Sequence, residues 1–539
     1  MTLEQFLREN IITLVTFLPF LGGGIVMLLP ANAKTLTRWV ALVASLVPLG
    51  LALLMWVWFN QDPCHNVIAG ACFEQQLTWF PLVNASYHVG VDGISMAMVL
   101  LTTILTPLAI LMSWDIEDRV RLYMGLFLTL EMGMLGVFVS LDLLLWFVFW
   151  EFGLVPMYFL IYIWGSDNRE YASFKFMIYT MAGSLGLLLS VQLIGLTMGT
   201  FDLTELMMLW PEFGAEGGTL FGVLGVGVVK TIVFLMFVLA FAIKIPIWPF
   251  HTWLPDAHTE APTAGSMILA GVLLKLGAYG FIRLVLPLFP LEARAFAPAL
   301  AVLGMLGIVL TAYASFGQTD FKRLVAYSSV NHMGWVVLAL AAAAWVGMGS
   351  QFDASGGVDQ LNATIALNGA VLQMFNHGIS AAAMFALVGM MYHRLHTRDL
   401  TKMGGLWAVA PIYGGIMIFS SMASLGLPGL NGFVSEFMVV RGVWAVGAGE
   451  MAVPIFPIMI GISMLGLLFT GAYILKGIRT VLLGPLNEDA VDMAHGHSLE
   501  INLRETIAMV PLLALMLVLG VFPAWLLSVI NGTVTEMLF

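Results

Sequence analysis

Three lysines and three glutamates stand inside long apolar runs of this 539-residue chain. They are Lys230, Lys244 and Lys275, with Glu131 in LTLEMGMLG, Glu151 in FVFWEFGLVP and Glu436 in FVSEFMVV. A charge at the centre of a bilayer costs at least about 2.5 kcal/mol on insertion scales, so such groups usually face protein or water and serve a function. Burial favours a neutral amine, whereas a carboxylate nearby favours the ammonium. A lysine–glutamate pair whose separation changes therefore takes up and releases a proton with no cofactor. Each residue also has a plainer reading. Lys230 begins its run near one face, and snorkelling to the headgroups is preferred for it. Lys244 lies fourteen residues farther on, about 21 Å along an ideal helix, where snorkelling to that face fails. Lys275, in GVLLKLGAYG, is midway along its run. For Lys244, Lys275 and Glu151 a purely structural ion pair is the weaker alternative. Glu131 divides evenly between helix pairing and function.

His251, His332 (SSVNHMG) and His377 (MFNHGIS) fall within or beside the same runs. Histidine titrates near neutrality and suits a proton relay. A single one serves equally as a hydrogen-bonding tie between helices, but a series placed among lysines favours the relay. The segment KIPIWPFHTWLPDAHTEAPTAGS carries Pro246, Pro249, Pro255 and Pro262 around Lys244, His251, Asp256, His258 and Glu260. Proline removes a backbone donor, and irregular backbone at membrane depth is tolerated where it is buried in protein or lines a hydrated cavity. SLGLPGLNGFVSEF repeats the theme, with Pro428, Gly429 and Gly432 ahead of Glu436. The two interruptions are five spans apart, an odd offset that inverts the second copy. Inverted repeats with broken helices mark transporter sites. The repeat is inferred from layout, since the halves share no convincing identity.

These residues must be positioned by an all-α membrane bundle. The chain is 60% hydrophobic and 10% charged, with a mean hydropathy of +0.96. Such a composition cannot cover a water-facing surface. Fourteen spans are predicted, near 11–29, 38–59, 93–113, 120–139, 142–163, 174–197, 221–247, 262–286, 297–316, 322–345, 361–391, 408–440, 453–482 and 505–530. They form one polytopic domain: three helices in 11–113, one five-helix unit in 120–286, an inverted one in 297–482, and a last helix. The first run reads as a retained span, not a leader. Fourteen of the 21 basic residues fall on the side of the first inter-helix loop, and four, Arg8, Arg283, Arg294 and Arg441, on the other. That asymmetry marks the first side as cytoplasmic and puts both termini in the bacterial periplasm. Acidic stretches from Asp202 to Glu216 and from Glu488 to Glu505 read as solvated loops, and the net charge of −11 indicates no nucleic-acid partner. Cys64 and Cys72 share one polar connection on the periplasmic side, where a disulfide and two free thiols are equally compatible with the sequence. No dinucleotide fingerprint, phosphate loop, CxxC or haem-bridging histidine pair occurs. No cofactor or metal is expected in this chain.

WEFGLVPMYFLIYIWG (150–165), KIPIWPFHTWLPDAHTEAPTAGS (244–266), LKLGAYGFIR (274–283), DFKRLVAYSSVNHMG (320–334) and LPGLNGFVSEF (427–437) closely resemble the proton-translocating, antiporter-like subunits of respiratory complex I. The resemblance runs from about residue 85 to about 480. It implies fourteen helices with two inverted five-helix repeats and discontinuous helices seven and twelve. It also implies that Glu151 partners Lys244, that Lys275 lies on a central polar axis with His251, His332 and His377, and that Glu436 ends the route. Glu131 matches an acid that is less firmly placed. Glu436 where other types carry lysine, and an end nine residues past the last span, favour the M type over the larger L and the N types. Flavin, iron–sulfur clusters and quinone are then expected in partner subunits, beside two further antiporter-like chains. The rival is a subunit of a multisubunit cation/proton antiporter without redox coupling. A mere scaffold is a third reading, which the buried charges disfavour.

Overall fold

The computed structural model describes residues 2–61, 70–214, 217–220, 224–347, 358–447, 454–487 and 498–539. Helices α1 (Leu3–Leu28) and α2 (Lys34–Gln61) lead to a hairpin of β1 (Cys72–Phe80) and β2 (Ala85–Val91), antiparallel with Gln76 opposite His88. Then follow α3 (Gly93–Met112), α4 (Val120–Val139), α5 (Leu143–Phe152), α6 (Leu154–Trp164), α7 (Arg169–Met198), α8 (Leu203–Glu212), α9 (Val226–Lys244) and α10 (Trp253–Glu260). The second half holds α11 (Thr263–Leu288), α12 (Pro290–Gly317), α13 (Phe321–Val346), α14 (Val358–Leu395), α15 (Pro411–Leu425), α16 (Asn431–Ala445), α17 (Ile455–Leu482), α18 (Leu503–Val521) and α19 (Ala524–Leu538).

Among the described residues thirteen helices, with α5–α6 taken as one, are long and apolar enough to cross a bilayer. The interrupted pair α15–α16 makes the fourteenth span. The apolar windows of α11 and α14 are buried throughout, whereas those of α2, α17 and α18 bury only a third. Lipid-facing helices thus surround a core pair, and backbone groups are satisfied within helices as a membrane requires. The span direction alternates. α9 leaves the hairpin face, while α15–α16 runs back toward it, so the two broken spans are inverted with respect to each other.

Four features depart from the sequence reading. The polar connection after α2 contains a hairpin, in which Cys72 is disulfide-bonded while Cys64 lies outside the described residues. Span five breaks at Gly153, because Pro156 has no N–H to continue the ladder. The stretch from Asp202 is not a solvated loop. It is helix α8, capped by the Asp202 carboxylate, and Asp202 is buried. Of the second acidic stretch, 488–497 lies outside the described residues, and Glu505 is not solvated but buried in the first turn of α18, paired with Arg394 at 2.6 Å. The last span stops at Val521, and a separate helix, α19, starts after Pro523 and packs on α3 and α14.

Candidate functional site

Lys244 ends α9, and its carbonyl neighbours are deprived of helical partners by Pro246 and Pro249. The Trp253 indole donates to Ile243 O (2.9 Å) and Ile247 N–H to Ala242 O (2.7 Å), which satisfies two carbonyls of the helix end within the protein. Helix α11 runs against this end. A methyl added at Gly277 would lie 3.1 Å from Lys244 Cβ and 3.0 Å from the Ile245 nitrogen, so only glycine permits that approach. Lys244 is buried and its ammonium sits over the Trp150 ring at 4.9 Å. Glu151 is the carboxylate within electrostatic reach, yet the two form no ion pair within 4 Å. The pair is open, with the indole beside it.

Lys275 lies at the centre of α11, fully buried between two π-helical turns, residues 269–273 and 281–285. Such turns widen a helix and recur at functional sites. The ammonium donates to Ala270 O and meets His377 Nδ1 at 2.8 Å. The His377 and His332 rings stand 5.6 Å apart, and His332 Nδ1 lies 3.0 Å from Glu436 Oε1. Gln373 Nε2 also donates to that carboxylate at 3.3 Å. Lys275, His377, His332 and Glu436 therefore form one buried file across α11, α14, α13 and α16. At its end, Gly426 takes φ 81°, and a side-chain carbon there would lie 3.2 Å from Glu436 Oε2. The broken span needs glycine both for its backbone and for the space beside the acid.

The remaining expected residues stand apart from this file. His251 is half-buried on the turn before α10, with Tyr327 at 6.2 Å between ring centroids. Glu131 is wholly buried in α4, near Thr106, and neither carboxylate oxygen has a close hydrogen-bond partner. Lys230 donates to Pro211 O at 2.7 Å, so its ammonium is taken up by α8. Arg283, read from the sequence as a loop cation, is buried inside α11.

Sequence reasoning noted His258 in the proline-rich segment but gave it no role. It is fully buried on α10, stacked on Phe385 at 4.4 Å, and both ring nitrogens lack partners. It lies within electrostatic range of Lys275 of the file and of Lys322, and Lys322 lines a cavity of about 250 Å³ on the face opposite the hairpin. Glu260, Lys322, Arg398 and Ser166 line that cavity. Ser166 Oγ donates to Glu260 at 2.5 Å, Arg398 lies 3.9 Å from the same carboxylate, and Lys322 donates to Ala261 O. The missed signal was the second histidine of HTWLPDAH, seven residues after His251.

Residues 140–352 and 358–463 match the family described as "NADH:quinone oxidoreductase/Mrp antiporter, TM". The chain belongs to that family. It is 38% identical to NADH-quinone oxidoreductase subunit M of Rhodobacter capsulatus over 98% of this chain and 96% of that one. The subunit of the same name from Pseudomonas aeruginosa is 40% identical over 95% and 94%. A chain of respiratory complex I from Thermus thermophilus with bound NADH superposes with a TM-score of 0.79 at 25% identity, covering 98% of this chain and all of that one. Membership in the antiporter-like group agrees with the resemblance drawn from the motifs, and the relatives named carry the M designation.

Proposed function

We propose that this chain carries protons across the bacterial inner membrane as an antiporter-like subunit of NADH:quinone oxidoreductase, while partner subunits hold the flavin, the iron–sulfur clusters and the quinone. The observation that carries the reading is the buried file from Lys275 to Glu436, which joins an amine, two imidazoles and a carboxylate with no lipid-exposed member. Protons are taken up from the cytoplasm through the Glu260–Lys322 cavity and leave on the hairpin face beyond Glu436. His258 bridges the cavity to Lys275. The basic asymmetry supports this orientation, with both termini periplasmic. The Lys244–Glu151 pair supplies the switch: closing it holds the ammonium, and opening it releases a proton toward Lys275. Coupling to electron transfer is then electrostatic and conformational.

Lys244→Ala and Glu151→Ala are each expected to lower proton-coupled quinone reduction in the assembled complex on the order of tenfold or more, as loss of a proton-transfer group does. Normal pumping by Lys244→Ala would refute the switch. The same family also covers cation/proton antiporters. Co-purification with small antiporter chains, in place of flavin and iron–sulfur subunits, would favour that second reading.

A further inference from the structure

Lys275, Tyr279 and Arg283 follow one another at i, i+4 and i+8, so they line one face of α11 and point a polar stripe from the central lysine toward the hairpin face. The stripe spans about 12 Å at 1.5 Å per residue. Tyr279 and Arg283 are 1% and 3% exposed. A stripe of this kind is a second route for a proton, and it opens on the same face as the file through Glu436.

Its far end is built so that nothing passes. Arg283 Nη2 pairs with Asp92 Oδ2, and Arg283 Nε lies 3.4 Å from the Tyr279 hydroxyl. Asp92 caps α3, and its other oxygen accepts the N–H groups of Ile94 (3.1 Å) and Ser95 (3.0 Å). Tyr279 Oη donates to Phe138 O at 2.9 Å and shares a 2.8 Å bond with Ser95 Oγ. A relay needs each member to accept a proton on one side and release one on the other. A guanidinium does not deprotonate in proteins. The carboxylate has both oxygens committed. The hydroxyl proton is spent on a backbone carbonyl, which has no proton to hand on. Around the pair the packing is tight: a carbon added at Gly93 would fall 2.0 Å from Val529 O.

We propose that Arg283, held by Asp92 and Tyr279, is an electrostatic plug that insulates Lys275 from the hairpin face and leaves the His377–His332–Glu436 file as the way out. Cohesion alone does not call for the pair, because apolar residues of similar volume often replace a buried ion pair with no loss of stability. A fixed cation that bars protons is a device known from pores. The inference rests on the proton-carrying reading above, and its test is separable from it.

The test uses the whole complex in sealed proteoliposomes with a pH-sensitive dye inside. Decay of an imposed pH gradient is read without NADH, and gradient formation with it. Arg283→Lys keeps the charge but can release its proton, turning plug into relay. The resting gradient should then decay at least about threefold faster, with NADH oxidation largely kept and the steady gradient lowered. The double variant Asp92→Asn/Arg283→Gln removes both charges together and should leak likewise. It decides the matter if Arg283→Lys does not assemble. Decay equal to that of the unaltered complex in these variants overturns the plug, and so does failure of both to assemble, which would make the pair structural. Loss of redox coupling leaves the NADH-free decay unmoved, so a failure of the proton-carrying reading shows up in the Lys244 variants instead.

Discussion

A histidine with two bare nitrogens in an apolar site is an expensive thing to bury, because each unpaired polar group forfeits about 1–3 kcal/mol of hydration. His258 is in that state, within electrostatic range of Lys322 and Lys275, and hydration or transient protonation would satisfy it. His258→Gln keeps the volume and removes the titrating nitrogen. Proton-coupled quinone reduction is expected to fall on the order of tenfold, with assembly intact. Unchanged pumping would leave the cavity and the file unconnected. Much of the file was legible in the sequence, since Lys275, His332, His377 and Glu436 are ionisable groups within apolar runs, the pattern a membrane makes conspicuous. The role of His258 was not, because it lies in a proline-rich, polar-looking segment whose burial comes only from the packing of α10 on α7 and α13, with Phe385 of α14 over the ring. Nor does sequence spacing distinguish His251, which the fold turns away toward Tyr327, from the histidines that meet.

At the scale of elements, the hairpin shows how a connection read as featureless is tied down. His88 is buried on β2, with Nδ1 2.8 Å from Asp202 and Nε2 2.7 Å from Glu74. Burial works against its charge, but the bonds to Asp202 and Glu74 outweigh that and raise the imidazole above its ordinary value. The same contact lowers the Asp202 carboxyl against the opposing effect of burial. For a histidine raised on folding, the stabilisation is fully present below the unfolded value of about 6.5 and is lost as pH climbs through the folded value. Hydrogen exchange over residues 72–91, corrected for intrinsic rates, should therefore show protection falling as pH rises above about 6.5. His88→Phe should flatten that dependence, and equal protection across the range would remove the clamp. The helices themselves were readable from hydropathy, which counts apolar length and little else. The hairpin, the Gly153 break and the π-helical turns of α11 were not, because each depends on which backbone groups find partners across the fold.

For the whole molecule, the distribution of lysine and arginine predicts sidedness, and the structure supplies a clean handle for it. Asn84 is exposed at the hairpin tip in a left-handed conformation, φ 56°, and its amide donates to Gly199 O. A cysteine at that position in intact cells or right-side-out vesicles is expected to react with a membrane-impermeant maleimide from the periplasmic side, whereas one at exposed Arg119 should react only after the membrane is opened. The reverse pattern would invert the direction of transport argued above. The thirteen long spans among the described residues, and the interrupted one that makes the fourteenth, were recovered from sequence because hydropathy is a sum over many residues. The separate C-terminal helix α19 escaped, since a single proline, Pro523, divides an apolar stretch that hydropathy averages into one.

The four members of the central file are held by four different helices, with contacts of 2.8 Å and 3.0 Å at its two ends. A hydrogen bond is spent once its atoms part by much more than half an ångström, while sliding a helix by one residue moves it 1.5 Å. The proposed conductor is thus only as continuous as the alignment of its carriers, and a nudge far smaller than a helical turn, delivered anywhere along α11, α13, α14 or α16, would break the file.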